Sequence, residues 1–414
     1  MQSTLAVRRD FTATLIYRVG STLSYQMLMV AVGWHLFDIT GDVMSLGLLG
    51  LAELIPYFIF ALFAGHWVDT HSRRMIATIS SLMHVVIGIF LMLIARGMFE
   101  PAEFYIYLSI AFLGVGRALL RPAYQSIFGQ VIPRDLTPKY SAYASSAFQG
   151  CVVTGPALAG IFIATIGLDY TYFIAGLCAL LGQYGVFMVH LKNLKREKNT
   201  APFWESFKES IVYVKNHRLI LSAMSIDMLA VLFGGAVSML PAFVKEVLNQ
   251  GPETLGILRA APAIGAILTG FYLAKKPILR HSGKYVLVGV AGFGISIICF
   301  SFSTTIWMSA FFLFLTGCFD SVSVVVRIAI FQLTSPDHMR GRISSINGIF
   351  VGSSNELGAL ESGFAASLLG LVPSIAFGGF VTLLVAIGFY QFCAPIRNLH
   401  IQDLLEKKDR HDRT

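Results

Sequence analysis

"GHWVDTHSRRM" (residues 65–75) places an aspartate, two histidines and two arginines between two long apolar runs. In the whole chain of 414 residues, 55% of the residues are hydrophobic and only 13% are charged, and the mean hydropathy is +0.69. Soluble domains contain about 25% charged residues. The composition therefore predicts an integral membrane protein in which charge is confined to a few positions.

The apolar runs on both sides of residues 65–75 are long enough to cross a bilayer. A hydrocarbon core about 30 Å thick requires roughly 20 residues of α-helix, and the sequence lacks the strand-length alternation of a membrane β-barrel. An all-α membrane protein is therefore expected. Twelve spans are predicted, at residues 11–37, 45–67, 75–96, 102–124, 139–166, 169–191, 218–243, 254–275, 284–303, 305–330, 343–370 and 373–394.

The positions of lysine and arginine predict the orientation of these spans. Nearly all of the basic residues outside the spans fall in the connectors and tails on one side, with Arg96 and Lys245 as the exceptions. Cytoplasmic segments carry such an excess, so both termini are predicted to be cytoplasmic. The net charge of +8 then reflects topology and contact with anionic lipid, and no basic domain supports a nucleic-acid partner.

The second half of the chain repeats features of the first. Residues 128–135 align with residues 331–338, and the same shift carries Gly167 onto Gly370. Such a repeat is typical of transporters built from two related bundles. The predicted organisation is an N-terminal six-helix bundle (1–191), a cytoplasmic linker with an amphipathic helix (192–217), a C-terminal six-helix bundle (218–396) and a cytoplasmic tail (397–414).

Twelve spans in two halves and "GHWVDTHSRR" between spans 2 and 3 resemble the major facilitator superfamily, and the resemblance covers essentially the whole chain. Stretches such as "AVGWHLFDITGD" (31–42) and "SPDHMRGRISSING" (335–348) are similar to the branch that includes the bacterial enterobactin-type siderophore exporters. The resemblance implies the major facilitator fold, with two six-helix pseudo-repeats that open alternately to either side of the membrane. It does not identify the substrate.

The resemblance also implies a cytoplasmic gate motif. Gly65 is expected to allow close helix approach and Asp69 to accept hydrogen bonds, while Arg73 and Arg74 complete a charged latch. The alternative is that the two arginines only anchor a helix end on the positive side of the membrane. A second motif, in span 5, resembles an element associated with exporters and predicts close packing with a proline bend; its residues are Gly150, Gly155, Pro156 and Gly160.

Charged residues inside the spans are the candidate coupling groups. Each costs at least about 2.5 kcal/mol at the centre of a bilayer, so each is expected to face the protein interior and to have a partner or a function. Asp227 is the first candidate proton carrier, Glu356 is the second, and Arg18 is a candidate partner of Asp227 across the two halves. Structural ion pairs are the alternative. The full predicted set is Asp227, Glu356, Arg18, Glu361, Asp320, Arg327 and Glu53.

Aromatic and polar residues within the spans are candidates for the lining of a substrate cavity. A cavity with this lining suits a bulky amphiphilic ligand. For His35, a structural contact near the outer end of span 1 is the alternative. Arg117 could adjust the acidity of a neighbouring carboxylate. The predicted cavity residues are Tyr25, Trp34, His35, Arg117, Tyr124, Phe148 and Asn355.

These features predict a secondary active transporter that exports a siderophore, a drug or a similar amphiphile in exchange for protons. An importer of the same fold and a non-transporting membrane sensor are the alternatives. No enzyme is expected, because the sequence has no nucleophile–base arrangement, metal-ligand spacing or phosphate loop. The expected partners are a small-molecule substrate, protons and lipid, with no cofactor or metal, in a monomer of the bacterial inner membrane.

Overall fold

A computed structural model describes residues 4–191, 203–336 and 339–411 of the chain, and these residues are almost entirely helical. The helices are α1 (Thr4–Thr40), α2 (Val43–Thr70), α3 (Arg73–Ala95), α4 (Ala102–Val131), α5 (Thr137–Ile166), α6 (Leu168–Met188), α7 (Phe203–Asn216), α8 (Arg218–Phe233), α9 (Leu240–Ala242), α10 (Pro252–Lys275), α11 (Ser282–Ser301), α12 (Ile306–Thr334), α13 (Arg340–Leu369), α14 (Leu371–Phe392), α15 (Ala394–Arg397) and α16 (Ile401–His411).

Ten segments of the described chain are long and apolar enough to cross a membrane, and they coincide with ten of the twelve predicted spans. The other two predicted spans are α1 and α13, which contain 37 and 30 residues. Both are less hydrophobic than the other spans, because uncharged polar side chains add to the few charges inside them. The helix lengths are therefore consistent with twelve spans.

The helix ends follow the local sequence. Asp42 accepts a hydrogen bond from the amide of Met44 and so caps α2. Gly167, between α5 and α6, has φ of 94°, and Gly370, between α13 and α14, has φ of 89°. Only glycine adopts this conformation readily, so the two residues that the internal repeat aligns form the same kind of sharp junction.

The predicted seventh span is interrupted, which corrects the expectation of one helix over residues 218–243. The α-helix ends at Phe233, a 3-10 turn covers Gly235–Val237, and a π turn covers Phe243–Val247. Adjacent glycines at 234 and 235 weaken the helix there, and Pro241 removes a backbone donor. Hydrophobicity alone did not reveal this break.

The chain divides into two compact units. The N-unit contains residues 1–198 and 240–260, and the C-unit contains residues 199–239 and 261–414. This division reflects which segments pack against each other. It does not show which segments move together as one domain. The domain boundaries predicted from the sequence therefore remain a prediction.

Each unit has its own packed interior. In the N-unit α1 packs against α5 and α6, and α2 packs against α4; in the C-unit α11 packs against α12 and α14, and α8 packs against α13. Large apolar side chains such as Phe271, Trp307 and Phe392 are exposed. Such positions suit contact with lipid tails, which solvate apolar groups without cost.

The predicted amphipathic linker helix corresponds to α7. Val214 is buried in the C-unit interior, and the hydroxyl of Tyr213 donates to the carbonyl of Thr334 at 2.9 Å. Ile211 is exposed. Residues 192–202 of the linker lie outside the described residues, so its predicted role as a tether remains a prediction.

Candidate transport site

An ion pair joins α2 and α4 inside the N-unit. The Arg117 guanidinium lies 2.7 Å from Oε1 of Glu53, and the hydroxyl of Tyr25 donates to the same oxygen at 2.7 Å. The Glu53 side chain is completely buried, and its Oε2 has no hydrogen-bond partner among the described residues. Arg117 also lies about 5 Å from the ring centroids of Tyr25 and Tyr57.

We call Glu53, Arg117 and Tyr25 the N-cluster. The sequence proposed Arg117 as a neighbour of a carboxylate, and the structure places it against Glu53. Helix packing makes the contact possible, because a Cβ added at Gly114 would approach the carbonyl oxygen of Glu53 to 2.5 Å. The glycine thus lets α4 approach the backbone of α2 closely.

A second charged cluster lies in the C-unit, and we call its residues Asp227, Asp320 and Arg327 the C-cluster. Arg327 forms a close ion pair with Asp227, while its Nη2 lies 3.8 Å from Oδ1 of Asp320. Asp320 and Arg327 share one face of α12 at a spacing of seven residues, as predicted. Two carboxylates thus surround one guanidinium.

The two carboxylates of the C-cluster differ in exposure. The Asp227 side chain is 7% exposed, whereas the Asp320 side chain is 44% exposed. Both line a cavity of about 240 Å³, a volume that includes its open mouth. The remaining lining residues are Ala230, Val231, Gly289, Val290, Phe293 and Ser323.

Ser323 completes this cavity and was missed by the sequence analysis. It is buried, and its hydroxyl has no hydrogen-bond partner within the described part of the chain. A buried hydroxyl without a partner costs free energy, so its position beside two carboxylates suggests a ligand or proton site. The sequence feature that could have identified Ser323 is its position on the same helical face as Asp320 and Arg327.

The predicted pairing of Arg18 with Asp227 requires correction, because each finds partners within its own unit. Asp227 pairs with Arg327, as described above. The Arg18 guanidinium lies over the rings of Tyr124 and Phe148, with distances of 4.3 and 4.9 Å to the ring centroids. The similar positions of the two residues within their spans did not reveal these partners.

The arginines of the gate motif contact backbone carbonyls of the N-unit. Arg73 donates to the carbonyl of Ser126 at 3.3 Å, and Arg74 donates to the carbonyl of Val189 directly after α6. Positive groups stabilise the carbonyl ends of helices, which gives Arg74 a structural role at the end of α6, while Arg73 links α3 to α4. Gly65 and Asp69 belong to α2, but their side-chain positions lie outside the described residues, so the latch remains a prediction.

The span-5 glycines differ from one another. A Cβ at Gly155 would lie 2.7 Å from Cβ of Gln26, and one at Gly160 would overlap the carbonyl of Pro252. Both positions therefore require small residues for close helix approach. Gly150 departs from the expectation, because an added Cβ there would meet no described atom within 4 Å. Pro156 lies inside α5.

The remaining candidates occupy varied positions. His35 is buried, and its Nδ1 lies 3.2 Å from the hydroxyl of Tyr172, which fits the structural alternative. Trp34 is half-buried, and Asn355 is exposed with its amide donating to the carbonyl of Val351. Glu356 and Glu361 are half-buried in α13.

An ion pair that the sequence did not suggest joins two segments of the N-unit. Nζ of Lys245 lies 2.5 Å from Oδ1 of Asp38 at the end of α1. The only available signal was that Lys245 is one of two basic residues on the predicted outer side. Both side chains are largely exposed.

A sequence profile of the family described as transmembrane secretion effectors matches residues 5–411. Macrolide efflux protein A of Streptococcus pyogenes is 22% identical over 93% of this chain and 95% of its own length. The staphyloferrin A transporter of Staphylococcus aureus is 22% identical over 92% of this chain and 94% of its own length. The multidrug efflux pump Tap of Mycolicibacterium fortuitum is 22% identical over 83% of this chain and 86% of its own.

Solved structures resemble the whole chain. A bacterial homologue of the human lysosomal transporter Spinster has a TM-score of 0.71 at 14% identity, covering 98% of this chain and 99% of its own. The xylose transporter of E. coli has a TM-score of 0.71 at 14% identity, covering 96% and 99%. At this identity the likeness shows a shared fold alone.

Proposed function

The chain belongs to the transmembrane secretion effector family of the major facilitator superfamily, and on that premise we propose that it is a proton-coupled exporter of a siderophore, a drug or a similar amphiphile. It acts as a monomer in the bacterial inner membrane and works by alternating access. The efflux proteins and the siderophore transporter among its relatives support this range of substrates.

The observation that carries the proposal is the excess carboxylate in the C-cluster. Arg327 balances only one of the two aspartates, so the cluster carries a net charge of −1 when both are ionised. Asp227 holds the close ion pair, and Asp320 is the more exposed group. We therefore assign the transported proton to Asp320 rather than to Asp227, the candidate favoured by the sequence.

A proton on Asp320 changes the charge of the cavity from −1 to zero. A neutral cluster is less costly to enclose away from water than a charged one. The protonated form therefore favours conformations in which the cavity closes to one side of the membrane, and deprotonation on the other side completes the cycle. Arg327 serves as a fixed positive charge that pairs with Asp227.

The test is substrate flux in membrane vesicles under an imposed pH gradient, with a radiolabelled macrolide and a carboxylate siderophore as probes. We expect accumulation in inverted vesicles that are acidified inside, and its loss when an ionophore dissipates the gradient. Uptake that appears only in right-side-out vesicles would favour the importer. Substrate flux that does not depend on the pH gradient would contradict proton coupling.

The gate motif provides a second, independent test. We expect Asp69→Asn to abolish flux while the protein level is unchanged, because an amide cannot replace a carboxylate that accepts charge-assisted hydrogen bonds. The conservative Asp69→Glu variant is the matched control and should retain part of the flux. Normal flux in the Asp69→Asn variant would contradict the proposal that Asp69 forms part of a cytoplasmic latch.

A further inference from the structure

Arg18 lies near the middle of α1, which crosses the membrane as the first predicted span. It is half-buried and faces other helices of the N-unit rather than lipid, since its guanidinium lies over Tyr124 of α4 and Phe148 of α5. The other in-span arginines of the two clusters each contact a carboxylate. Among the described residues, no carboxylate lies within ion-pair distance of Arg18.

Aromatic faces stabilise a guanidinium through cation–π attraction but do not use its N–H donors. Arginine has five such donors arranged in a plane. Apart from the Tyr124 hydroxyl, the described residues supply these donors with no hydrogen-bond acceptor at Arg18. A positive group held at this depth is costly unless a negative group balances it, so the position is suited to an anion that arrives with the substrate.

Tyr124 adds an independent observation. The residue is 5% exposed, and apart from the Arg18 guanidinium its hydroxyl has no hydrogen-bond partner among the residues that the structure describes. Its ring is one of the two on which Arg18 packs. A carboxylate bound to the Arg18 fork could also accept the tyrosine O–H, which would satisfy both groups at once.

We propose that Arg18, Tyr124 and Phe148 form the anion-recognising part of the substrate site, and that the transported molecule is a carboxylate with an aromatic or apolar body. This inference rests on the proposed transport function and narrows its substrate class. Phe148 provides an apolar face for the body of the ligand beside the charged fork. Arg18 is therefore a specificity-determining residue, and its assignment to proton coupling is replaced.

The test compares two probes of nearly identical shape, 1-naphthylacetate and its neutral amide. Their binding to the purified full-length protein in nanodiscs is measured by calorimetry. We expect the wild type to bind the acid roughly tenfold or more tightly than the amide, since a hydrogen-bonded ion pair forms only with the acid. Arg18→Gln should remove this preference, and Tyr124→Phe should weaken binding of the acid alone.

Matched variants keep the test decisive. Arg121→Gln removes an exposed arginine of α4 in the same unit and should leave the preference unchanged. Arg18→Lys retains the charge without the fork and should retain part of the preference, so it serves if the glutamine variant fails to fold. Equal wild-type affinity for acid and amide, binding of neither, or an unchanged preference in Arg18→Gln would overturn the proposal.

Binding in nanodiscs requires no pH gradient, so the result is independent of proton coupling. If flux ignores the gradient while the acid still binds more tightly, the coupling proposal fails and the anion site stands. If flux follows the gradient but the two probes bind alike, the coupling proposal stands and the anion site fails.

Discussion

The N-cluster and the C-cluster both hold an arginine against carboxylate inside membrane-spanning helices, but they differ in charge and access. Glu53 is completely buried and receives both Arg117 and Tyr25. Asp320 is 44% exposed and lies 3.8 Å from an arginine that already pairs with Asp227. A sealed, compensated pair stabilises helix packing, whereas an accessible second carboxylate can gain and lose a proton. Residue type alone does not separate these roles.

The largest expected effect is on coupling. Asp320→Asn fixes the C-cluster in its neutral state, so we expect it to abolish substrate accumulation driven by a pH gradient while substrate binding persists. The matched variant in the N-cluster, Glu53→Gln, should retain gradient-driven accumulation per folded molecule. Vesicle flux normalised to protein level measures both. The reverse pattern would exchange the roles of the two clusters.

The next effect is on stability. Arg327→Met leaves two carboxylates in the C-cluster without a countercharge, which we expect to cost about 3–5 kcal/mol in the free energy of unfolding. Denaturant titration of the purified protein in detergent micelles measures it. Adding Asp227→Asn and Asp320→Asn to this variant should restore much of the loss. Failure of the triple variant to recover would show that packing around Arg327, rather than charge, is important.

Removing a single hydroxyl at each cluster tests the difference between the N-cluster and the C-cluster further. Tyr25→Phe removes a donor to the buried Glu53 carboxylate and should destabilise the protein by roughly 1.5–3 kcal/mol. Ser323→Ala removes a hydroxyl that has no partner in the described residues, so the unfolding free energy should be nearly unchanged. The same denaturant titration tests both variants. A large loss in Ser323→Ala would mean that its hydroxyl holds an ordered partner such as water.

The smallest effect is expected at an exposed ion pair. Lys245→Gln breaks the contact with Asp38, and because both side chains are largely exposed we expect a loss of at most about 1 kcal/mol. Repeating the titration at high salt should reduce the difference between wild type and variant. A loss as large as that of Arg327→Met would contradict the distinction between sealed and exposed pairs.

The helical spans were largely predictable because each needs only local information. Every predicted span corresponds to a described helix, since a bilayer requires long apolar segments that satisfy their own backbone hydrogen bonds. The exception is span 7, where hydrophobicity continued through residues 234–241 while the helix did not. The junction glycines 167 and 370 were also indicated by the internal repeat, and both adopt positive φ.

The partners of the in-span charges were only partly predictable. That Asp320 and Arg327 share a face of one helix was predictable, because helical geometry fixes which residues lie on the same face. The contacts of Arg327 with Asp227 and of Arg18 with Tyr124 join different helices. Sequence spacing does not report which helix faces which neighbour.

The sequence by itself determined a helical membrane protein with two related halves and a small number of costly in-span charges, because hydropathy, basic-residue bias and internal repetition are properties of the chain read locally. Only the tertiary structure decided which carboxylate is sealed, which shares an arginine, and which arginine is left to aromatic rings. The physical reason is that the cost of a charge in the membrane depends on its immediate neighbours and access to water, and helix packing sets both.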